Sequence, residues 1–185
     1  MNLSDRIESL LMQVQKPARY MGGEFNSVMK NPEDVDVRFA FLFPDTYEVG
    51  MSHLGMKILY HTINRRADAW CERVFSPWVD MAELMRKNEI PLFSLESRTP
   101  IRDFDILGVT LQYEMSFTNI LDALDLAGIP MRSSDRTDGP FVVVGGPCAF
   151  NPEPLYAFVD LVALGDGEDE THQVIDCYKE WKKSG

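Results

Sequence analysis

The sequence predicts an α/β domain with a mainly parallel sheet of five strands and helices on both faces. Short apolar runs alternate with amphipathic stretches of helical period along the whole chain, and such alternation is typical of parallel sheets. The runs are continuous rather than alternating in polarity, which indicates strands buried on both faces. Two of the runs end in glycines, which allow the chain to turn sharply after a strand.

Composition and charge narrow the functional classes. The chain has 185 residues, 45% of them hydrophobic, which suffices for one domain with a sizeable core. A formal net charge of -11 argues against unassisted binding to nucleic acid or to an anionic membrane. The apolar runs are far shorter than the roughly 18 residues of a membrane span, and the charged N-terminus does not resemble a secretory signal. Three scattered cysteines indicate reduced thiols, so we expect a cytoplasmic location.

The first 36 residues are expected to form a helix followed by an extended arm. Apolar residues recur at helical spacing from Leu3 to Val14, and Pro17 ends that pattern. Residues 17–36 show no clear period and contain several glycines, asparagines and charges, which is typical of a loop. The apolar side chains expected to anchor this arm to the domain, which spans residues 37–185, are Tyr20, Phe25 and Val28.

Five strands and four further helices follow in alternation. Strands are predicted over residues 37–43, 72–75, 105–112, 141–144 and 159–164, with a small additional strand over 91–95. Helical stripes are predicted over 51–62, 78–85, 117–124 and 168–181, with Ser52 as a cap of the first. This pattern suits a Rossmann-like (flavodoxin-like) doubly wound sheet with strand order 2-1-3-4-5.

Glycine-rich loops follow the strands at one edge of the predicted sheet. In such folds ligands bind at the carboxyl ends of the strands, so backbone amides at these glycines could receive polar groups beside the helix that begins near Glu168. Acidic residues at 166 and 168–170 would repel a phosphate, and the third glycine of a dinucleotide fingerprint is absent. The alternative is that the glycines serve only tight turns. The four glycines are Gly145, Gly146, Gly165 and Gly167.

Few other residues in these loops offer chemistry. His53 could be a ligand or an acid–base group, and the alternative is a helix-capping or packing histidine. Cys148 follows a Gly-Gly-Pro turn, where a buried structural thiol is favoured over a reactive one. No nucleophile, base and oxyanion hole occur together. The domain therefore resembles a binding module, with catalysis expected elsewhere in a longer polypeptide.

Several motifs resemble those of a known family. The segment Val-Val-Val-Gly145-Gly146-Pro147 and the segment Gly165-Asp166-Gly167-Glu168 resemble signatures of cobalamin-binding-like domains that precede radical SAM domains. The segments at 47–55, 104–108, 111–114 and 151–154 are similar to those of uncharacterised B12-binding-domain radical SAM proteins. The resemblance covers essentially the whole chain.

The resemblance implies a corrinoid held by the glycine loops, with residues 45–53 and 112–115 facing the corrin ring or a following barrel. That barrel, expected after residue 185, would carry a CxxxCxxC motif for a [4Fe-4S] cluster and would bind S-adenosylmethionine; the chain itself contains no such motif. The partners implied are this C-terminal radical SAM domain and, further, a second copy in a homodimer. The residues expected to contact the cofactor are Ser52, His53, Gln112, Tyr113, Glu114, Gly145, Gly146, Pro147, Gly165, Asp166, Gly167 and Glu168.

The alternative function is a cofactor-free interaction or dimerisation domain that keeps the Rossmann-like fold. In that case large side chains would fill the crevice at the sheet edge. The candidates for filling it are Tyr113, Phe150 and Tyr156.

Overall fold

The computed structural model describes residues 2–184, so Gly185, the last residue of the predicted domain, lies outside it. Its centre is one sheet of five parallel strands in the order β2-β1-β3-β4-β5, which confirms the predicted fold and strand order. The strands are β1 (Val37–Phe43), β2 (Ala69–Phe75), β3 (Ile106–Thr110), β4 (Phe141–Gly145) and β5 (Leu161–Val162). The helices are α1 (Leu3–Leu11), α2 (Tyr47–Ser52), α3 (Leu54–Asn64), α4 (Val79–Lys87), α5 (Phe117–Ala127) and α6 (Gly167–Ser184).

Helices cover both faces of this sheet and bury two separate apolar clusters. Alternate residues of a strand point to opposite faces, so Leu42 of β1 packs with α1, α4 and α5, while its neighbours Phe41 and Phe43 pack with α3 and α6. The continuous apolar runs therefore supply both clusters at once. None of the helices in residues 2–184 is both long and apolar enough to cross a membrane.

Four strands differ in length from their predictions: β3 is three residues shorter, β4 is one residue longer, and β2 and β5 differ more instructively. Strand β2 begins at Ala69, three residues before the predicted start. The prediction included the charged residues Glu72 and Arg73 and missed 69–71, which precede them. Both charged residues are buried, and each is held in an ion pair. Strand β5 is shorter than predicted and comprises only Leu161–Val162.

The additional strand predicted over residues 91–95 is wrong. This segment makes only an isolated antiparallel bridge between Phe93 and Pro100. It lies along the edge strand β2, where the Leu95 N–H donates to the Arg73 carbonyl at 2.8 Å and Glu96 Oε2 accepts from the Arg73 N–H at 2.7 Å. Its apolar residues are buried because they cover this sheet edge, which is the physical reason for the strand-like composition.

The chain after β1 forms two helices where one was predicted. Helix α2 occupies most of the predicted loop, and the chain breaks at His53 before α3 begins at Leu54. Ser52 does not cap α3, contrary to the prediction, since its hydroxyl donates to the Glu48 carbonyl at 2.7 Å. His53 is the cap: its Nδ1 accepts from the Met56 N–H at 3.1 Å.

Polar contacts fix the arm of residues 17–36 to the domain. The Tyr20 hydroxyl accepts from the Trp78 N–H at 3.0 Å, and the Val28 carbonyl accepts from the indole of Trp70 at 2.9 Å. Both residues are anchors, as predicted. Phe25 was predicted to be a third anchor, and that prediction is wrong, because its side chain is fully exposed.

Candidate functional site

A cleft of about 190 Å³ opens at the carboxyl edge of the sheet between α3 and α6. Its floor is the sheet face formed by β1, β3 and β4, and its walls are the two helices. The loops that follow the strands form its mouth, which is where the topology predicted a ligand site. The floor residues are Phe39, Phe41, Gly108, Val143, Gly145 and Ala163; the wall residues include Gly55, Ile58, Leu59, Gly167, Thr171 and Val174.

The four glycines predicted for the site all line this cleft, and they have different roles there. Gly146 has φ +103°, and a Cβ on it would lie 2.9 Å from the Leu111 carbonyl oxygen, so this glycine is needed for the turn itself. A Cβ on Gly145 would meet only ordinary contacts, the nearest being the Ala163 carbonyl oxygen at 3.6 Å. The absence of a side chain at Gly145 therefore leaves space in the cleft that the fold does not require.

Three polar side chains lie at the mouth of the cleft: His53, Thr110 and Gln112. The Gln112 amide donates to the Thr110 hydroxyl at 2.5 Å, which orients both side chains. The His53 ring packs against Phe43, with ring centroids 5.2 Å apart. These groups offer hydrogen bonds at an otherwise apolar site, a combination typical of small-molecule pockets.

Carboxylates surround the end of the cleft at which α6 begins. Glu168 and Glu170, in the first turn of α6, line the cleft. The Asp166 carbonyl accepts from the N–H groups of Asp169 and Glu170, each at 3.0 Å, so these amides are already occupied. Negative charge and occupied donors together disfavour a phosphate at this helix end.

Five of the residues predicted for the site are not among those that line the cleft. Ser52 lies on the exposed side of α2, and Tyr113 points its hydroxyl toward Asp45 Oδ2 at 3.4 Å. Glu114 and Pro147 begin short 3-10 turns beside the mouth, and Asp166 belongs to the turn before α6.

Sequence reasoning missed several residues of the cleft, among them Gly55, Leu59, Gly108 and Thr171. Gly108 carried a usable signal, since a glycine inside a buried strand marks a close approach of another group. The wall residues carried none, because only the packing of α3 beside α6 brings them to the cleft.

Large apolar side chains remain exposed along the same edge of the sheet. At least one of them follows each strand in the sequence. We call this set the carboxyl rim: Val49, Leu54, Trp78, Tyr113, Met115, Phe150 and Leu164. Exposed apolar surface of this kind is typical of an interaction site.

The pKa of the Cys148 thiol, beside the mouth of the cleft, is not lowered as it would be in a reactive cysteine. Desolvation and, secondarily, the carboxylate of Glu114 raise the pKa of Cys148. The side chain is half-buried, whereas the sequence favoured a buried one. Within residues 2–184, no group of three or more histidine, cysteine, aspartate or glutamate side chains could hold a metal ion.

Comparison with known proteins decides the family. The family described as "Radical SAM proteins, N-terminal" matches residues 55–185, which is more than two thirds of the chain. This chain belongs to that family. The match begins within α3 and includes both walls of the cleft and the glycine loops after β4 and β5.

One curated relative is Uncharacterized protein MJ0966 of Methanocaldococcus jannaschii. It is 25% identical over 143 residues, an alignment that covers 74% of this chain and 26% of the relative. The chain thus spans about a quarter of the length of that protein. No solved structure matches the chain.

Proposed function

We propose that this radical SAM N-terminal domain holds a corrinoid at its carboxyl edge, beside a following domain that carries the [4Fe-4S] cluster and S-adenosylmethionine. The single observation that carries the proposal is that the cleft is open. Tyr113, Phe150 and Tyr156, which would fill it in a cofactor-free domain, are absent from its lining and are 45%, 77% and 71% exposed.

The size and lining of the cleft fit one arm of a corrinoid. Its volume of about 190 Å³ is below the roughly 300 Å³ or more of a pocket for a whole drug-sized ligand. It therefore suits a flat heteroaromatic group such as the base of the nucleotide tail, with the corrin ring outside. An apolar floor that includes Phe39 and Gly145 suits such a ring. Because Glu168 and Glu170 disfavour an anion, the phosphate of the nucleotide tail would have to lie outside the cleft, away from the first turn of α6.

The carboxyl rim would then face the ring and the following domain. When bound, a corrinoid supplies a cobalt centre suited to methyl-transfer or rearrangement chemistry. The residues of this chain would bind and orient it and would exclude water from the part held in the cleft. The same rim supports the second candidate, an interaction domain without a cofactor, because exposed apolar residues follow every strand.

Titration of the chain with hydroxocobalamin, followed by visible absorption and calorimetry, separates the two functions. Saturable binding is expected for the unmodified chain. Gly145→Val should weaken it at least about tenfold, which corresponds to about 1.4 kcal/mol, because the added side chain projects from the floor of the cleft without straining the fold.

The control variant is Ser134→Ala, at an exposed residue of the loop before β4 that lies outside the cleft, and it should bind like the unmodified chain. Gly146→Val is less informative, since its side chain would collide with the backbone of Leu111. If the unmodified chain does not bind hydroxocobalamin although its circular dichroism spectrum is that of a folded α/β domain, the result would favour the interaction domain.

A further inference from the structure

The His53 ring is held in one orientation at the wall of the cleft. Its Nδ1 accepts from the Met56 N–H at 3.1 Å and so caps the N-terminus of α3. One face packs on Phe43. A Cβ on Gly55 would lie 3.0 Å from Cε1 of the ring, so the glycine at that position makes room for the imidazole. Three independent contacts thus fix the side chain that the sequence singled out.

The capping bond also fixes the tautomer of the ring. A backbone N–H can donate only to a nitrogen that carries a lone pair, so Nδ1 is unprotonated and the neutral ring carries its proton on Nε2. Within residues 2–184 no protein group pairs with Nε2. His53 lines the cleft, and its Nε2–H has no acceptor from this part of the protein.

This tautomer is incompatible with a bond from His53 to a metal. A metal-bound imidazole nitrogen must supply a lone pair; the lone pair of Nδ1 is used by the cap, and Nε2 carries the proton. If the proton moved to Nδ1, it would repel the proton of the Met56 N–H, and the N-terminus of α3 would lose its hydrogen-bond acceptor. A carboxylate that accepts from Nδ1–H can hold the proton there and leave Nε2 free for a metal. Two positions before His53 the chain has Met51, so that position supplies no such carboxylate.

The geometry points to His53 as a positioning residue that donates a hydrogen bond from Nε2 to an uncharged acceptor on the bound ligand, and not as a cobalt ligand. This inference rests on the proposed function. The amide carbonyl oxygens on the periphery of a corrinoid are acceptors of the required class. An anionic acceptor is disfavoured because Glu168 and Glu170 line the same cleft.

Two variants separate the donor from the cap. His53→Ser keeps an N-cap acceptor and removes the imidazole, whereas His53→Ala removes both. Both should bind hydroxocobalamin about three- to tenfold more weakly than the unmodified chain, the effect of one ordinary hydrogen bond. Only His53→Ala should also lower the urea midpoint of unfolding. If His53→Ser binds as well as the unmodified chain, the residue acts through the cap alone and the donor role is overturned.

Paramagnetic resonance of the reduced Co(II) form tests ligation directly. The nitrogen splitting of the cobalt lines should be the same in the unmodified chain and in His53→Ser. A splitting present in the unmodified chain and lost in the variant would show that the imidazole binds cobalt, which would overturn the inference.

A ligand-free measurement keeps this inference separable from the proposed function. The chain has three histidines, so a long-range ¹H–¹⁵N spectrum at pH 8 can be assigned, with exposed His61 as the reference. The Nε2–H tautomer is expected for His53, and the Nδ1–H tautomer would overturn the assignment. If hydroxocobalamin does not bind at all, the proposed function and the donor role fail together, while the tautomer still stands or falls on this spectrum.

Discussion

The ring of Phe39 on β1 occupies the space that a side chain on Gly108 of β3 would need. A Cβ at Gly108 would lie 2.4 Å from Cζ of that ring, far closer than two carbon atoms can approach. The two residues form part of the cleft floor. The shape of the floor therefore depends on a glycine in the middle of a buried strand.

We predict that Gly108→Ala destabilises the chain by about 1–3 kcal/mol, because overpacking forces the Phe39 ring to move. Urea unfolding followed by circular dichroism measures the change. Adding Phe39→Leu should recover part of the loss, since the smaller side chain leaves room for the methyl group. Gly145→Ala is the control and should unfold near the unmodified chain; an unchanged midpoint for Gly108→Ala would contradict the packing seen here.

A second prediction concerns the buried ion pair that joins β2 to the segment covering its edge. Arg73 Nε donates to Glu96 Oε1 at 2.6 Å, and both side chains are almost completely buried. Glu96→Gln should cost about 3 kcal/mol, because it leaves the buried guanidinium with only the more distant carboxylate of Glu24, at 3.3 Å. Urea unfolding is again the measurement.

The matched control for this pair is Arg86→Met. Arg86 also pairs with a carboxylate, that of Asp122, but both side chains are substantially exposed. Its loss should cost less than about 1 kcal/mol. Similar effects for Glu96→Gln and Arg86→Met would mean that burial of the β2 pair has no energetic consequence.

The contrast between β2 and the other strands shows how far the sequence alone could lead. Continuous apolar runs between helical stripes predicted five strands and their order, because a strand buried on both faces leaves that pattern whatever its neighbours are. At β2 the predicted strand began at Glu72 and missed 69–71, and the burial of Glu72 and Arg73 depends on partners distant in the sequence. The apolar segment before Glu96 was mistaken for a strand for the same reason, since its partner is the edge of β2.

The candidate site was likewise predictable where it depends on local sequence and not where it depends on tertiary packing. Glycine loops after strands predicted the mouth of the cleft, because a parallel sheet brings the carboxyl ends of its strands together. The walls were out of reach: Leu59 on α3 and Thr171 on α6 meet at the cleft only through the packing of two helices. The role of His53 as a cap depended on where α3 begins, and element boundaries are the least certain part of a prediction from sequence.

A third prediction concerns stability at low pH. A hydrogen bond from its own backbone N–H, with further bonds from Arg19 and Lys16, lowers the pKa of Glu48 to about 2. A carboxyl whose pKa is lower in the folded chain contributes stability above its unfolded pKa of about 4.3, and that contribution is lost as the pH falls toward 2. Glu48→Gln should therefore lose less stability between pH 5 and pH ~3 than the unmodified chain does.

Urea unfolding at a series of pH values measures this difference. Arg19→Met serves as the partner control: it removes one of the charges that stabilise the Glu48 carboxylate and should also weaken the pH dependence. Parallel curves for the unmodified chain and Glu48→Gln would show that the contacts between α2 and residues 16–19 do not hold the charged form.

The last prediction concerns the three thiols. Cys71 is buried in β2, Cys148 is half-buried at the mouth of the cleft, and Cys177 is exposed on α6. The thiolate is the nucleophile. Burial should protect Cys71 in two ways: it blocks access of the reagent, and it raises the pKa so that the thiol stays protonated. Desolvation and Glu114 raise the pKa of Cys148, so that thiol should also react slowly.

Iodoacetamide labelling at pH 8, followed by peptide mapping at a series of times, should therefore modify Cys177 first, Cys148 later and Cys71 only after unfolding. Cys177→Ser should remove the fast phase and leave the other two rates unchanged. Labelling of Cys148 as fast as that of Cys177 would contradict the structural role assigned to the thiol beside the Gly-Gly-Pro turn.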